Sequence, residues 1–131
     1  MLVMVEVAAI LASLILLGLI IFQSLLILGY PLGRMAWGGK HEVLPTRLRI
    51  ASGVSIIFYV LFIAIVLNQA GVIAVFDNAS WIRALLGLLT AYFFVGIIMN
   101  AISRSKAERI VMTPVATSLA LLFLYVTLSS G

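Results

Sequence analysis

The sequence predicts an all-α membrane protein: one domain over residues 1–131, built as a bundle of four transmembrane helices. Three observations carry that prediction. Hydrophobic residues make up 65% of the chain and charged residues 9%, where a water-soluble domain carries about 25% charged residues. The apolar residues gather into four runs, about 3–30, 48–70, 81–103 and 112–129. Each is near the roughly 20 residues that a helix needs to cross a ~30 Å hydrocarbon layer. The polar residues lie between the runs, and the alternating pattern of a membrane β-barrel is absent. Peptide groups inside lipid must bond within their own segment, which makes each run a helix.

The first run, VMVEVAAILASLILLGLIIFQSLLILGY, lacks a basic leading segment and a small-x-small cleavage pattern, so it is expected as a retained span rather than a secretory signal. Pro31 is expected to stop it. Pro45 and Thr46 open the second helix, with Pro45 preset for a first-turn position. Ser80 is a candidate cap for the third, with Trp81 at the interface. Thr113-Pro114 reads as the start of the fourth. Small-residue pairs mark close helix contacts: Ala8-x-x-x-Ala12, Gly29-x-x-x-Gly33, Ala116-x-x-x-Ala120 and the Ser52/Gly53/Ser55 group.

Two connectors, 31–47 and 104–113, hold nearly all the positive charge. Arg34, Lys40, Arg47 and Arg49 lie in or beside the first, and Arg104, Lys106 and Arg109 in the third loop, which is seven of the eight Lys and Arg residues. The intervening loop, GVIAVFDNAS, has none. The positive-inside rule then places the basic connectors in the cytoplasm and both termini outside, in a bacterial cytoplasmic membrane. A faint echo relates the connectors: Gly33-Arg34, Lys40-His41-Glu42 and Pro45-Thr46 against Ser103-Arg104, Lys106-Ala107-Glu108 and Thr113-Pro114. It is compatible with duplication of a helical hairpin and also with independent origin.

Composition excludes several classes. With no cysteine there is neither disulfide nor thiolate chemistry. One histidine cannot supply a bis-imidazole haem or a histidine-rich zinc site within one chain. No metal and no cofactor is expected. The net charge of +4 is confined to short connectors rather than spread over a contiguous face, which argues against nucleic acid. No Walker or dinucleotide fingerprint is present.

Polar groups inside the spans share one half of the bilayer. Gln23 lies about seven residues, roughly 10 Å, from the basic end of the first run. Ser52 and Ser55 sit at similar depth in the second, Asn100 near the end of the third, and Tyr59 and Tyr92 near mid-membrane. Gln23, Ser52, Ser55, Tyr59, Tyr92 and Asn100 are therefore the candidate lining of an intramembrane pocket open to the basic side. The competing reading is a set of interhelical hydrogen bonds worth about 0.6 kcal/mol each. Glu6 and Arg83 lie near the opposite end, where they either pair or reach water separately.

Arg34, Lys40, His41, Arg47, Arg49, Arg104 and Arg109 are candidate contacts for an anion or for anionic lipid headgroups, and Gly38-Gly39 can present backbone N–H groups to a phosphate. Trp37 suits the headgroup layer. His41 and Glu42 form an acid–base couple only if a third group and a substrate pocket join them.

The pattern G-R-x-A-W-G-G-x-H-x-V-L-P-x-x-L-R, Gly33 to Arg49, resembles a signature of an uncharacterised family of small four-span bacterial integral membrane proteins. Asn100, Ile102-Ser103-Arg104-Ser105-Lys106, Glu108-Arg109 and Met112-Thr113-Pro114 extend the likeness over most of the chain. That resemblance implies four spans and no particular activity. Small multidrug resistance transporters, also four-span, rely on a membrane-embedded glutamate in the first span. Glu6 is too close to the end of its run to match it.

The sequence thus leads to a non-catalytic transport or ligand/lipid-binding membrane module, with membrane lipids as partners and a homo-oligomer expected because four helices enclose little space. An accessory or structural membrane subunit is the alternative, and a lipid-modifying enzyme using His41 and Glu42 the third.

Overall fold

The computed structural model describes residues 2–77 and 80–129, so Asn78 and Ala79 of the second connector and the extreme termini lie outside the described residues. Four helices, α1 (Leu2–Ile27), α2 (Thr46–Gln69), α3 (Ser80–Ala101) and α4 (Lys106–Ser129), are joined by loops, with two 3₁₀ turns at Gly33–Met35 and Trp37–Gly39 in the first loop. No strand occurs among the described residues. All four helices are long and apolar enough to cross a membrane.

Local chemistry sets the ends, and in two places it differs from the sequence expectation. Gly29, not Pro31, ends α1. At φ +94° it takes the left-handed conformation that favours glycine, the Tyr30 N–H donates to the Leu25 carbonyl at 3.1 Å, and the Gly29 N–H donates to Leu26 at 3.2 Å. That pair of bonds is a Schellman motif. Gly29 and Gly33 consequently belong to the connector and do not form a helix-packing pair. Gly71 ends α2 in the same way, with the Val72 N–H on the Leu67 carbonyl and the Gly71 N–H on Asn68.

The larger correction concerns α4, which begins at Lys106 and carries Pro114 inside it. Ser105 starts the helix instead, its Oγ accepting the Glu108 N–H at 3.3 Å. That is half of a capping box, the Ser-x-x-Glu pattern. Pro114 only removes the N–H that would reach the carbonyl four residues back, on exposed Ile110. The echo between connectors fails at this point: Pro45 precedes α2 as its cap residue, whereas Pro114 is interior to its helix.

α1 packs against α2 and α4, and α3 packs against α4, while α2 and α3 touch only sparingly. Around the bundle the order is therefore α2, α1, α4, α3, with an incomplete seam between the last and the first. Residues late in α1 and α3 meet residues early in α2 and α4 around one cavity, so successive helices alternate in direction.

The main core occupies the end away from the basic connectors. Ala8, Ala9, Ala12 and Leu16 of α1 pack with Phe62, Ile65 and Val66 of α2, Ile82, Leu86 and Phe93 of α3, and Leu119, Ala120 and Phe123 of α4. Ala8, Ala12, Ala116 and Ala120 are all buried, as their spacing predicts. Phe93 stands edge-on to Phe62 and Phe123, at centroid distances of 5.9 and 4.9 Å, which closes the α2–α3 seam at mid-height. Large side chains such as Leu14, Ile57, Leu88 and Leu121 point outward, the arrangement expected of a surface solvated by lipid.

Candidate functional site: an intramembrane cleft beneath a folded connector

Below Phe93 the seam opens into a cleft of about 770 Å³ that all four helices and the first connector line. Gln23 comes from α1, Ser55 and Tyr59 from α2, Tyr92 and Asn100 from α3, and Glu108 and Met112 from α4. Leu19, Phe22, Phe93, Val95, Met99, Val115 and Leu119 make its walls mainly apolar, and Trp37, Lys40, His41 and Arg47 border it at the basic end. Five of the six residues expected to line a polar pocket meet here.

Ser52 does not. It is fully buried, and its Oγ accepts the indole N–H of Trp37 at 3.1 Å. Trp37 is thus more than a headgroup anchor, because it folds from the connector onto α2 and covers Ser52. It does so with φ +51°, a conformation that is strained for a residue with a side chain.

The connector's glycines have distinct reasons. A side chain at Gly33 would strike the carbonyl of His41, and one at Gly39 would strike Ser105 and the Arg34 carbonyl. The Gly33 N–H donates to the Glu42 carbonyl at 2.8 Å, closing the connector on itself. Ser105 Oγ donates to the Arg34 carbonyl and so binds the two basic loops together. Leu26, Ala36 and Leu44 bury one another beneath them.

Several polar groups of the cleft have no partner. Gln23 is buried at 7% exposure and its Oε1 makes no hydrogen bond. His41 Nε2 is likewise buried and unpaired. No hydrogen bond satisfies the hydroxyl of Tyr59 or Tyr92 among the described residues. Ser55 and Asn100 turn back on their own helices, to the carbonyls of Ala51 and Gly96. Interhelical hydrogen bonding, the competing reading, does not account for these groups.

Glu108 is the one acid lining the cleft, and sequence reasoning missed it. It is buried, forms no ion pair among the described residues, and accepts the Gly38 N–H at 3.4 Å. Its signal in the sequence is the Ser105-x-x-Glu108 pattern, which lies upstream of the Thr113-Pro114 pair. Asn68 was missed too; its Oδ1 accepts the N–H groups of Val75 and Phe76 and shapes the second connector.

The seven candidate anion contacts separate into three groups. Lys40, His41 and Arg47 border the cleft. Arg34, Lys40 and Arg104, joined by Lys106, line an adjoining recess of about 760 Å³ beside Gly38, Gly39 and Ser105. Arg49 and Arg109 serve the fold: Arg49 Nε donates to the Leu44 carbonyl at 2.9 Å, and Arg109 Nη1 donates to Ser103 at 2.8 Å.

At the far end Glu6 and Arg83 are not paired, since no ion pair forms among the described residues. The reason is topological: α1 packs on α2 and α4, leaving α3 across the bundle. Glu42, the sequence neighbour of His41, is exposed and does not line the cleft. Among the described residues no group of acids and histidine is placed to hold a metal ion.

These features define a four-helix, multi-pass membrane protein with a cleft between its second and third helices. No family model, no curated protein and no solved structure matches the chain.

Proposed function

We propose that the protein is a ligand-binding module of the bacterial cytoplasmic membrane that takes an amphipathic, lipid-like molecule into the α2–α3 cleft, without transforming it. The carrying observation is that an open cleft with apolar walls is lined by Gln23, Tyr59 and Tyr92, whose side-chain amide and hydroxyl groups make no hydrogen bond among the described residues. A polar group left without a partner away from water is unfavourable by about 1–3 kcal/mol, so a ligand that bonds to the groups facing the cleft recovers part of that energy on binding. The open side of the seam lets an acyl or isoprenoid chain slide in from the bilayer, and the polar end of the ligand then lies toward the basic connectors.

Positive-inside placement of the basic connectors orients the cleft mouth to the cytoplasm, with both termini outside. A second copy packed along the exposed faces would give a homo-oligomer in which each chain keeps its own cleft. An accessory subunit without a ligand would need the polar groups to satisfy one another; the unpaired Gln23 and His41 weigh against that reading.

Native mass spectrometry of the detergent-extracted protein tests the proposal. Met99 lines the cleft and is 62% exposed, whereas neighbouring Ile98, 61% exposed, does not line it. One retained amphiphile per chain is expected in the wild type and in Ile98→Trp, and none in Met99→Trp. Equal retention by the two variants, or no retained molecule in any sample, contradicts the proposal.

A further inference from the structure

We infer that the ligand carries a phosphate group, and that the recess between the two basic connectors is the site for that phosphate. The inference rests on the cleft reading above and specifies the headgroup that the reading leaves open.

Four cations, Arg34, Lys40, Arg104 and Lys106, line the recess, and no acidic side chain is among its lining residues. None of the four is neutralised by an ion pair within the described chain. Arg34 is held in place, its Nη1 donating to the Gly39 carbonyl at 3.3 Å. Arg104, Lys40 and Lys106 are exposed, and their side chains make no hydrogen bond among the described residues. Like charges gathered this closely repel one another, and an anion relieves the repulsion. A phosphate presents several acceptor oxygens to several donors at once, while a carboxylate presents two.

The architecture is built rather than incidental. Gly39 is packed so tightly on Ser105 that no other residue fits, and the Ser105 hydroxyl bonds to the Arg34 carbonyl, so the two loops are fixed against each other. Gly38 and Lys40 line both the recess and the cleft, so the two spaces adjoin at this point of the connector. A phosphate in the recess therefore lies beside the cleft proposed for its chain. Glu108, the one acid among the residues lining the adjoining cleft, is engaged by the Gly38 N–H.

Trp37, which lines the cleft, provides the readout. In a Trp81→Phe background it is the only tryptophan. The full chain in uncharged detergent is titrated with lipids brominated on their chains: phosphatidic acid, diacylglycerol and a fatty acid. Saturable quenching by phosphatidic acid at an affinity about tenfold or more above the other two is expected. Arg104→Gln combined with Lys106→Gln should remove that tenfold preference while leaving diacylglycerol unchanged. Equal affinities for the three probes, or a preference that survives the double substitution, overturns the phosphate inference and leaves the cleft reading standing. No saturable quenching by any probe overturns both. Inorganic phosphate distinguishes the source: displacement of phosphatidic acid only at large excess supports a lipid headgroup, and displacement at equal concentration assigns the recess to free phosphate, against the lipid ligand.

Discussion

The two ends of the bundle solve the same problem differently. Toward the end away from the basic connectors, side chains from all four helices meet in a closed apolar core, and its one buried hydroxyl, Thr90, donates to the Leu86 carbonyl and lies 3.1 Å from the Thr127 hydroxyl. The Oδ1 of Asn68 accepts two backbone N–H groups there; the exception is Gln69 Oε1, at the last residue of α2. Toward the basic end the helices separate, and Gln23 and His41 keep buried atoms without partners around an open cleft. Helix association in lipid relies on packing and hydrogen bonds because apolar burial gains little there. The packed end therefore holds the bundle together, which frees the other end to hold something else.

The largest effect should come from setting one substitution in each half side by side. Phe123 is completely buried and stacked edge-on with Phe93. Phe123→Ala should lower stability by about 3–5 kcal/mol, the range for truncating a core aromatic. Gln23→Leu replaces an unpaired buried amide with a similar apolar volume and should be neutral or stabilising, since it removes an unmet hydrogen-bonding requirement. Reversible unfolding in mixed micelles with added denaturing detergent measures both. A Gln23→Leu loss as large as that of Phe123→Ala would erase the distinction between the halves.

A smaller effect sharpens the picture of the connector that covers the cleft. Gly39→Ala collides with Ser105 and the Arg34 carbonyl, and should destabilise by about 2–3 kcal/mol. Gly38→Ala meets open space and retains only the strain of φ +81°, about 1 kcal/mol. The same unfolding titration should rank Gly39→Ala well below Gly38→Ala. If the two are equal, the contact between the basic loops does not form as described.

Sequence alone carries the number of helices, because hydropathy and backbone bonding in lipid leave few alternatives. It also brings Gln23, Ser55, Tyr59, Tyr92 and Asn100 to one depth, which helical rise and alternating direction predict. Ser52 departs from that pattern because burial beneath Trp37 depends on how a connector folds, and no periodicity encodes this. The start of α4 departs from the Thr113-Pro114 expectation because the Ser105-x-x-Glu108 pattern caps the helix earlier and α4 tolerates proline where the freed carbonyl belongs to an exposed residue. Glu108 was missed with it. The absent Glu6–Arg83 pair reflects helix order around the bundle, which the sequence does not state.

The difference between the ends can be measured directly because the chain contains no cysteine. Single substitutions on two helices, Ser55→Cys and Asn100→Cys at the cleft, Val66→Cys and Leu86→Cys in the packed core, are treated with a small charged methanethiosulfonate reagent in delipidated detergent. Rapid labelling of the first pair, with protection of the second, is the predicted result. Equal protection at all four positions would mean that the basic half is packed as tightly as the other, and the cleft on which the proposed function depends would not exist.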